Sequence, residues 1–209
     1  MKSMHVLLNQ KVATNTAKFM KIVCYIIIAL FILMLVISFC GRLQYVLDVE
    51  GKIYESAIYA EENHDYTTRG FTVTSKDSLR VHSSADNGKI NLKSYIAIVI
   101  VFALNIIPLI FAFWYLSKVF DNVAKGEIFV EKNASYLLYY GIISAAVAVI
   151  VPFVKLFIVQ IANTFIPDRI SLATGMNMIN QIIPSIAFLV AAYIINYGVH
   201  LQDEVDHTL

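Results

Sequence analysis

Charge is scarce in this chain. Asp, Glu, Lys and Arg make up only 15% of its 209 residues, against about a quarter in a soluble globular domain. Cysteine is nearly absent. The two present, Cys24 and Cys40, lie at opposite ends of one apolar run, about 24 Å apart on a helix, so they cannot pair within it and no disulfide framework is implied. Net charge is +1, which removes the global positive field that nucleic-acid binding uses and predicts no direct contact with nucleic acid. Catalytic signatures are missing too: no Walker loop, dinucleotide fingerprint, HExxH or GxSxG occurs. Paired acids such as Glu61 and Glu62 have no base beside them. The expectation is a protein that is not an enzyme and holds no cofactor.

Apolar residues, by contrast, reach 58% of the chain. They gather in four stretches, Ile22–Cys40, Tyr95–Leu116, Leu137–Ile158 and Ile182–Tyr197. Each crosses, or nearly crosses, a ~30 Å hydrocarbon core, which takes roughly 20 helical residues. Backbone polar groups in lipid must be satisfied within the segment or in a closed barrel. Tyr25–Ile37 shows no period-two alternation, so helices are predicted rather than barrel strands. The fold class expected is an all-α membrane protein of four transmembrane helices with a small, partly β external loop region. Its divisions are a cytoplasmic amphipathic leader 1–21, spans 22–40, 95–116, 137–158 and 182–198, an external region 41–94, a cytoplasmic loop 117–136, an external connection 159–181 and an acidic cytoplasmic tail 199–209.

The first span, long and without a small-x-small cleavage site before Gly41-Arg42, reads as an uncleaved anchor. Residues 1–21 carry Lys2, Lys11, Lys18 and Lys21 and no acid, which places the N-terminus, and after four spans the C-terminus, in the cytoplasm. The 41–94 region holds seven basic and eight acidic residues, but long loops translocate largely regardless of charge. Within it Gly70–Ser75 and Leu79–His82 read as strands, and Val46–Ala60 as a strand or an extension of the first span. The stretch Ser171–Asn177 reads as a short interfacial helix.

Polar residues inside the apolar runs are few. Asn105 precedes Pro108 by three and is placed to satisfy a carbonyl freed by the proline kink. Lys155, within the third run, reads as a cation snorkelling to the interface or pairing with an acid such as Asp168. Gly141, Ser144, Ala145 and Ala148 in the third run, and Ala187 and Ala191 in the fourth, form small-xxx-small spacings that let helices approach closely, within the bundle or across a homo-oligomer. At the end of the chain His200, Asp203, Glu204 and His207 fall at i, i+3, i+4 and i+7. Imidazole and carboxylate at that spacing are divalent-ion chemistry; a solvated, partner-facing tail is the simpler reading, and no metal is predicted.

Two segments carry a family resemblance. Val119-Phe120-Asp121-Asn122-Val123 leads into Gly126-Glu127-Ile128-Phe129, then Asn133 and Leu137, and the tail closes with Glu204, Asp206, Thr208 and Leu209. This resembles the bacterial membrane proteins grouped as domain of unknown function 2975, with their phenylalanine, G-x-x-F and asparagine in the cytoplasmic loop and their closing glutamate-x-aspartate-x-threonine-aliphatic tail. The family pattern often has arginine where this chain has Leu138, and leucine where it has His207. Members resemble proteins encoded beside a small helix-turn-helix regulator. The resemblance thus implies a multi-pass protein of the bacterial cytoplasmic membrane, surrounded by lipid, acting as a sensor or regulator on such a factor. Phe120, Gly126, Phe129, Asn133, Glu204, Asp206 and Thr208 are then the expected partner-binding positions. An accessory or immunity-type subunit of a larger membrane complex, or a small solute transporter, are the alternatives. On the residues alone, Gly126 is a turn and Asn133 a helix N-cap.

Overall fold

The computed structural model describes residues 10–40, 44–49, 52–57, 72–74, 79–82, 91–172 and 178–208. Four helices dominate: α1 (Gln10–Phe39), α2 (Leu92–Ala124), α3 (Glu131–Phe165) and α4 (Met178–Thr208). All four contain a stretch long and apolar enough to cross a membrane, over Lys11–Phe39, Leu92–Ala124, Glu131–Phe165 and Ile182–Gln202. The helices overrun the apolar stretches because helix formation outlasts hydrophobicity. Over Gln10–Lys21 Ala17 is buried and Ala13 and Met20 are half-buried, while Val12 and Phe19 are exposed, and the helix continues without a break into the span. The helix itself has no break at residue 21. Pro108, Pro152 and Pro184 lie inside α2, α3 and α4 without ending them.

Burial is inverted relative to a soluble protein. Along α1, Ile22, Ile26, Leu30, Leu33 and Ile37 recur every three or four residues and are all exposed. A continuous apolar stripe of that kind marks a surface that meets something other than water, here lipid.

The chain divides into two compact units. One comprises residues up to Ile32, Ile107–Ile150 and Met178 onward. Its core is Cys24, Leu116, Val119, Leu137 and Ala192, with Phe113, Phe120, Val123, Tyr136, Tyr140, Phe188, Ala191 and Ile195 packed around them. A run of edge-to-face rings, Phe31–Phe113–Tyr140–Phe188, ties α1, α2, α3 and α4 together at centroid separations of 5.9, 5.8 and 4.5 Å. Gly141 lets α3 and α4 close: a Cβ there would lie 2.7 Å from Leu189 Cδ2 and 3.3 Å from the Leu189 backbone nitrogen. Ala148 is buried, whereas Ser144 and Ala145 are half-buried. The Ala187–Ala191 face is covered in part within the chain. Ala191 packs on the core but Ala187 is exposed, although the two stand one turn apart on the same face of α4, so within the chain a neighbour covers that face at Ala191 and leaves it open at Ala187.

The other unit comprises Leu33–Ile106 and Val151–Asn177. It contains a five-stranded antiparallel sheet ordered β2-β1-β3-β4-β5, from β1 (Gln44–Val49), β2 (Lys52–Ala57), β3 (Thr72–Thr74), β4 (Leu79–His82) and β5 (Arg169–Leu172). The register aligns Tyr54, Leu47, Val73, Val81 and Ile170 in one cross-strand row. Ile170 is buried between exposed Arg169 and Ser171. The reading of 171–177 as an interfacial helix is therefore corrected over its first residues: Ser171 and Leu172 extend β5 and pair with Arg80 and Leu79. Residues 173–177 lie outside the described ones.

Side chains complete this unit. Asn163 donates from Nδ2 to the Ile170 carbonyl and accepts from the Ile170 N–H at Oδ1, both at 2.8 Å. One amide thus serves the backbone of β5 as a further strand would. Asp168, buried, accepts the Asn91 N–H at 2.9 Å, and Asn91 Oδ1 accepts the Lys93 N–H, capping the start of α2. The Tyr95 hydroxyl donates to the Ser38 carbonyl near the end of α1.

Candidate functional site: the α2–α3 turn

Six residues join α2 to α3, and their backbone is closed by specific bonds. The Gly126 N–H donates to the Val123 carbonyl and the Glu127 N–H to the Asn122 carbonyl, each at 3.0 Å. That pair is a Schellman motif, which needs a left-handed residue after the helix end. Gly126 supplies it, with φ of 90°, a conformation that a Cβ opposes.

Asn133 holds the turn from the other side. It is fully buried and sits inside the first turn of α3, its N–H donating to the Val130 carbonyl. It is therefore not the N-cap expected of it. α3 starts two residues earlier, and the side chain turns back onto the loop. Its Nδ2 donates to the carbonyls of Glu127 at 2.7 Å and Ile128 at 3.0 Å, while Oδ1 accepts from Asn122 Nδ2 at 2.8 Å. One buried amide thus satisfies two loop carbonyls and joins α2 to α3.

Asp121, one residue before Asn122, is bonded by two lysines. Lys21 Nζ of α1 lies 2.6 Å from Oδ1 and Lys125 Nζ lies 2.9 Å from Oδ2. The second is a local i,i+4 pair; the first bridges two helices a hundred residues apart in sequence. Phe120 packs against the core of the unit.

What the turn displays is apolar and of both charges, with Lys125 and Lys132 exposed as well as two acids. Ile128 and Phe129 are 41% and 46% exposed, and Glu127 and Glu131 are exposed beside them. Phe129 lies over Gly198 of α4, where a Cβ would meet its ring at 2.7 Å. Beyond that contact α4 continues as helix to Thr208, with His200, Leu201 and Glu204 exposed.

The turn brings together Phe120, Gly126, Phe129 and Asn133. Glu204, Asp206 and Thr208 lie one to three turns past Gly198 on α4. The side chains of Asp203, Asp206, His207 and Thr208 lie outside the described residues, so the His200–His207 tetrad is placed only as positions on a helix. Among the described residues no group of three or more His, Cys, Asp or Glu is arranged to hold a metal ion. Asn105 and Lys155 are half-buried on α2 and α3, away from the turn by sequence. The tie from Lys21 to Asp121 and the Phe129–Gly198 contact went unread in the sequence. Asp121-x-x-x-Lys125 is a legible helical pair, but nothing in the sequence pairs Lys21 with Asp121.

The family model described as "Protein of unknown function (DUF2975)" matches residues 56–209, well over half of the chain and including both helices of the turn and the tail. No curated protein and no solved structure matches.

Proposed function

The chain belongs to the DUF2975 family of proteins of unknown function, and from that footing we propose that it is a non-enzymatic membrane regulator whose α2–α3 turn contacts a small cytosolic helix-turn-helix protein. In this reading it resides in the bacterial cytoplasmic membrane. Four spans in alternation put the start of α1, the α2–α3 turn and the end of α4 on one face, and the lysines of α1 make that face cytoplasmic. Residues 41–94 then lie outside, where they meet the signal.

The observation that carries the proposal is the exposed Ile128–Phe129 pair on a turn whose backbone is fixed by Gly126 and the buried Asn133. A connection between two spans needs neither large apolar side chains in water nor a buried amide dedicated to its shape. A rigid loop with apolar anchors and a charged border has the make-up of a protein-recognition surface. The acids of the tail, Asp203, Glu204 and Asp206, with no Lys or Arg among residues 200–209, complement the basic face that a helix-turn-helix protein turns to phosphate.

Co-purification tests this. The full chain and a chain ending at Gln202 are isolated from native bacterial membranes in mild detergent, and their partners are identified by mass spectrometry. Recovery of a small DNA-binding protein with the full chain, reduced on truncation, supports the proposal. Recovery solely of other membrane subunits, indifferent to truncation, replaces it with the accessory-subunit reading.

A further inference from the structure

We propose that the face shared by α2 and α3 just before the turn, formed by Trp114, Tyr115 and Lys118 with Lys132, Tyr136 and Tyr139, binds the headgroup of an anionic phospholipid. The faces of the two helices adjoin there. The Tyr115 ring lies 6.0 Å from Tyr136 and 5.0 Å from Tyr139 across the helix pair, and 5.1 Å from Trp114. Lys118 Nζ sits 5.2 Å over the Trp114 ring, a cation–π contact that fixes the ammonium beside the aromatic patch. Trp114, Tyr139 and Lys132 are exposed, and Lys132 stands one turn ahead of Tyr136 on α3.

Depth identifies the ligand. From Leu92 to Trp114, α2 rises about 33 Å, which uses up the hydrocarbon thickness. Trp114 is therefore at the level where indole and phenol rings settle between acyl chains and water, and Lys118, one turn further, is at the level of the lipid phosphates. Charge agrees. Asp121, the nearest acid after Lys118 on α2, is already bonded by Lys21 and Lys125. Glu131 is exposed at the start of α3, a residue before Lys132 and about 100° around the helix from it. Two lysines and three tyrosine hydroxyls bordering one aromatic surface suit a phosphodiester that carries a net negative charge; a zwitterionic headgroup brings its own cation to the same lysines. The site does not depend on the regulator reading.

Trp114 is the chain's one tryptophan, so its fluorescence reports on this surface alone. The full chain is reconstituted in vesicles containing phosphatidylglycerol or phosphatidylcholine brominated near the headgroup end of the acyl chains, at matched mole fractions. Quenching should be stronger with the anionic lipid, corresponding to a preference of about fivefold per lysine. The preference should fall towards one in Lys118→Gln/Lys132→Gln, persist in Lys118→Arg, and persist in Lys18→Gln, a charge removed elsewhere on the chain. Equal quenching by the two lipids, or a preference unchanged in the double variant, overturns the proposal. Loss of the preference on adding excess inorganic phosphate at constant ionic strength also overturns it, by making this a small-anion site.

Discussion

At the scale of single residues the turn rests on two side chains of opposite kinds. Gly126 contributes by having none, and Asn133 by having one that both donates and accepts. Gly126→Ala should lower stability by about 1 kcal/mol, the usual penalty for a Cβ in the left-handed region, seen as a lower Tm in detergent. Asn133→Ala should cost more, about 1–3 kcal/mol, because it strips the partner from two loop carbonyls and from Asn122 Nδ2. Asn133→Asp separates the two functions, since a carboxylate accepts from Asn122 but cannot donate to the carbonyls. Its Tm should lie near that of the alanine variant, and a Tm equal to the native one would show that the donor bonds do not hold the turn. Both residues were visible in the sequence as a turn glycine and a capping asparagine. Asn133's true role was not, because it depends on where α3 begins, and the boundary residues Val130–Lys132 carry no sharp start signal.

At the scale of elements, the spans were legible because a run of apolar residues without alternation leaves the backbone no option but a helix. Helix ends were less so: α1 runs on to Gln10 and α4 to Thr208 through polar residues, where hydropathy no longer speaks. The strand β5 was not legible at all. Four residues, Arg169–Leu172, are too few for a pattern, and what makes them a strand is pairing with β4, ninety residues earlier, and the Asn163 amide on the other side. Asn163→Leu should therefore loosen this edge while leaving the helices intact, measured as faster amide exchange at Ile170 with an unchanged far-ultraviolet helical signal. Between helices, Gly141→Ala should drive α3 from α4, since the new methyl meets Leu189 side chain and backbone together; a loss of about 1–3 kcal/mol is expected. Gly198→Ala is the useful contrast. The three atoms nearest its methyl all belong to the Phe129 ring, which can swing away, so the turn's exposed surface changes with a smaller shift in Tm.

At the scale of the whole molecule, the account requires the turn and both chain ends to share the cytoplasmic face. Single cysteines introduced at Ile128 and Glu62 in a Cys24→Ser/Cys40→Ser background test it in intact cells. A membrane-impermeant thiol reagent should label position 62 and spare position 128 until the membrane is opened, and the reverse pattern would invert the topology. The central claim is narrower, that the exposed apolar pair on the turn is a contact surface for a small cytosolic regulator. The most direct measurement is a photo-activated crosslinker in place of Ile128, irradiated in living cells and followed by mass spectrometry of the adducts. The account predicts one adduct with a small helix-turn-helix protein, diminished when Asn133→Ala loosens the turn. Crosslinks confined to lipid or to other membrane subunits, with no such adduct, would contradict it.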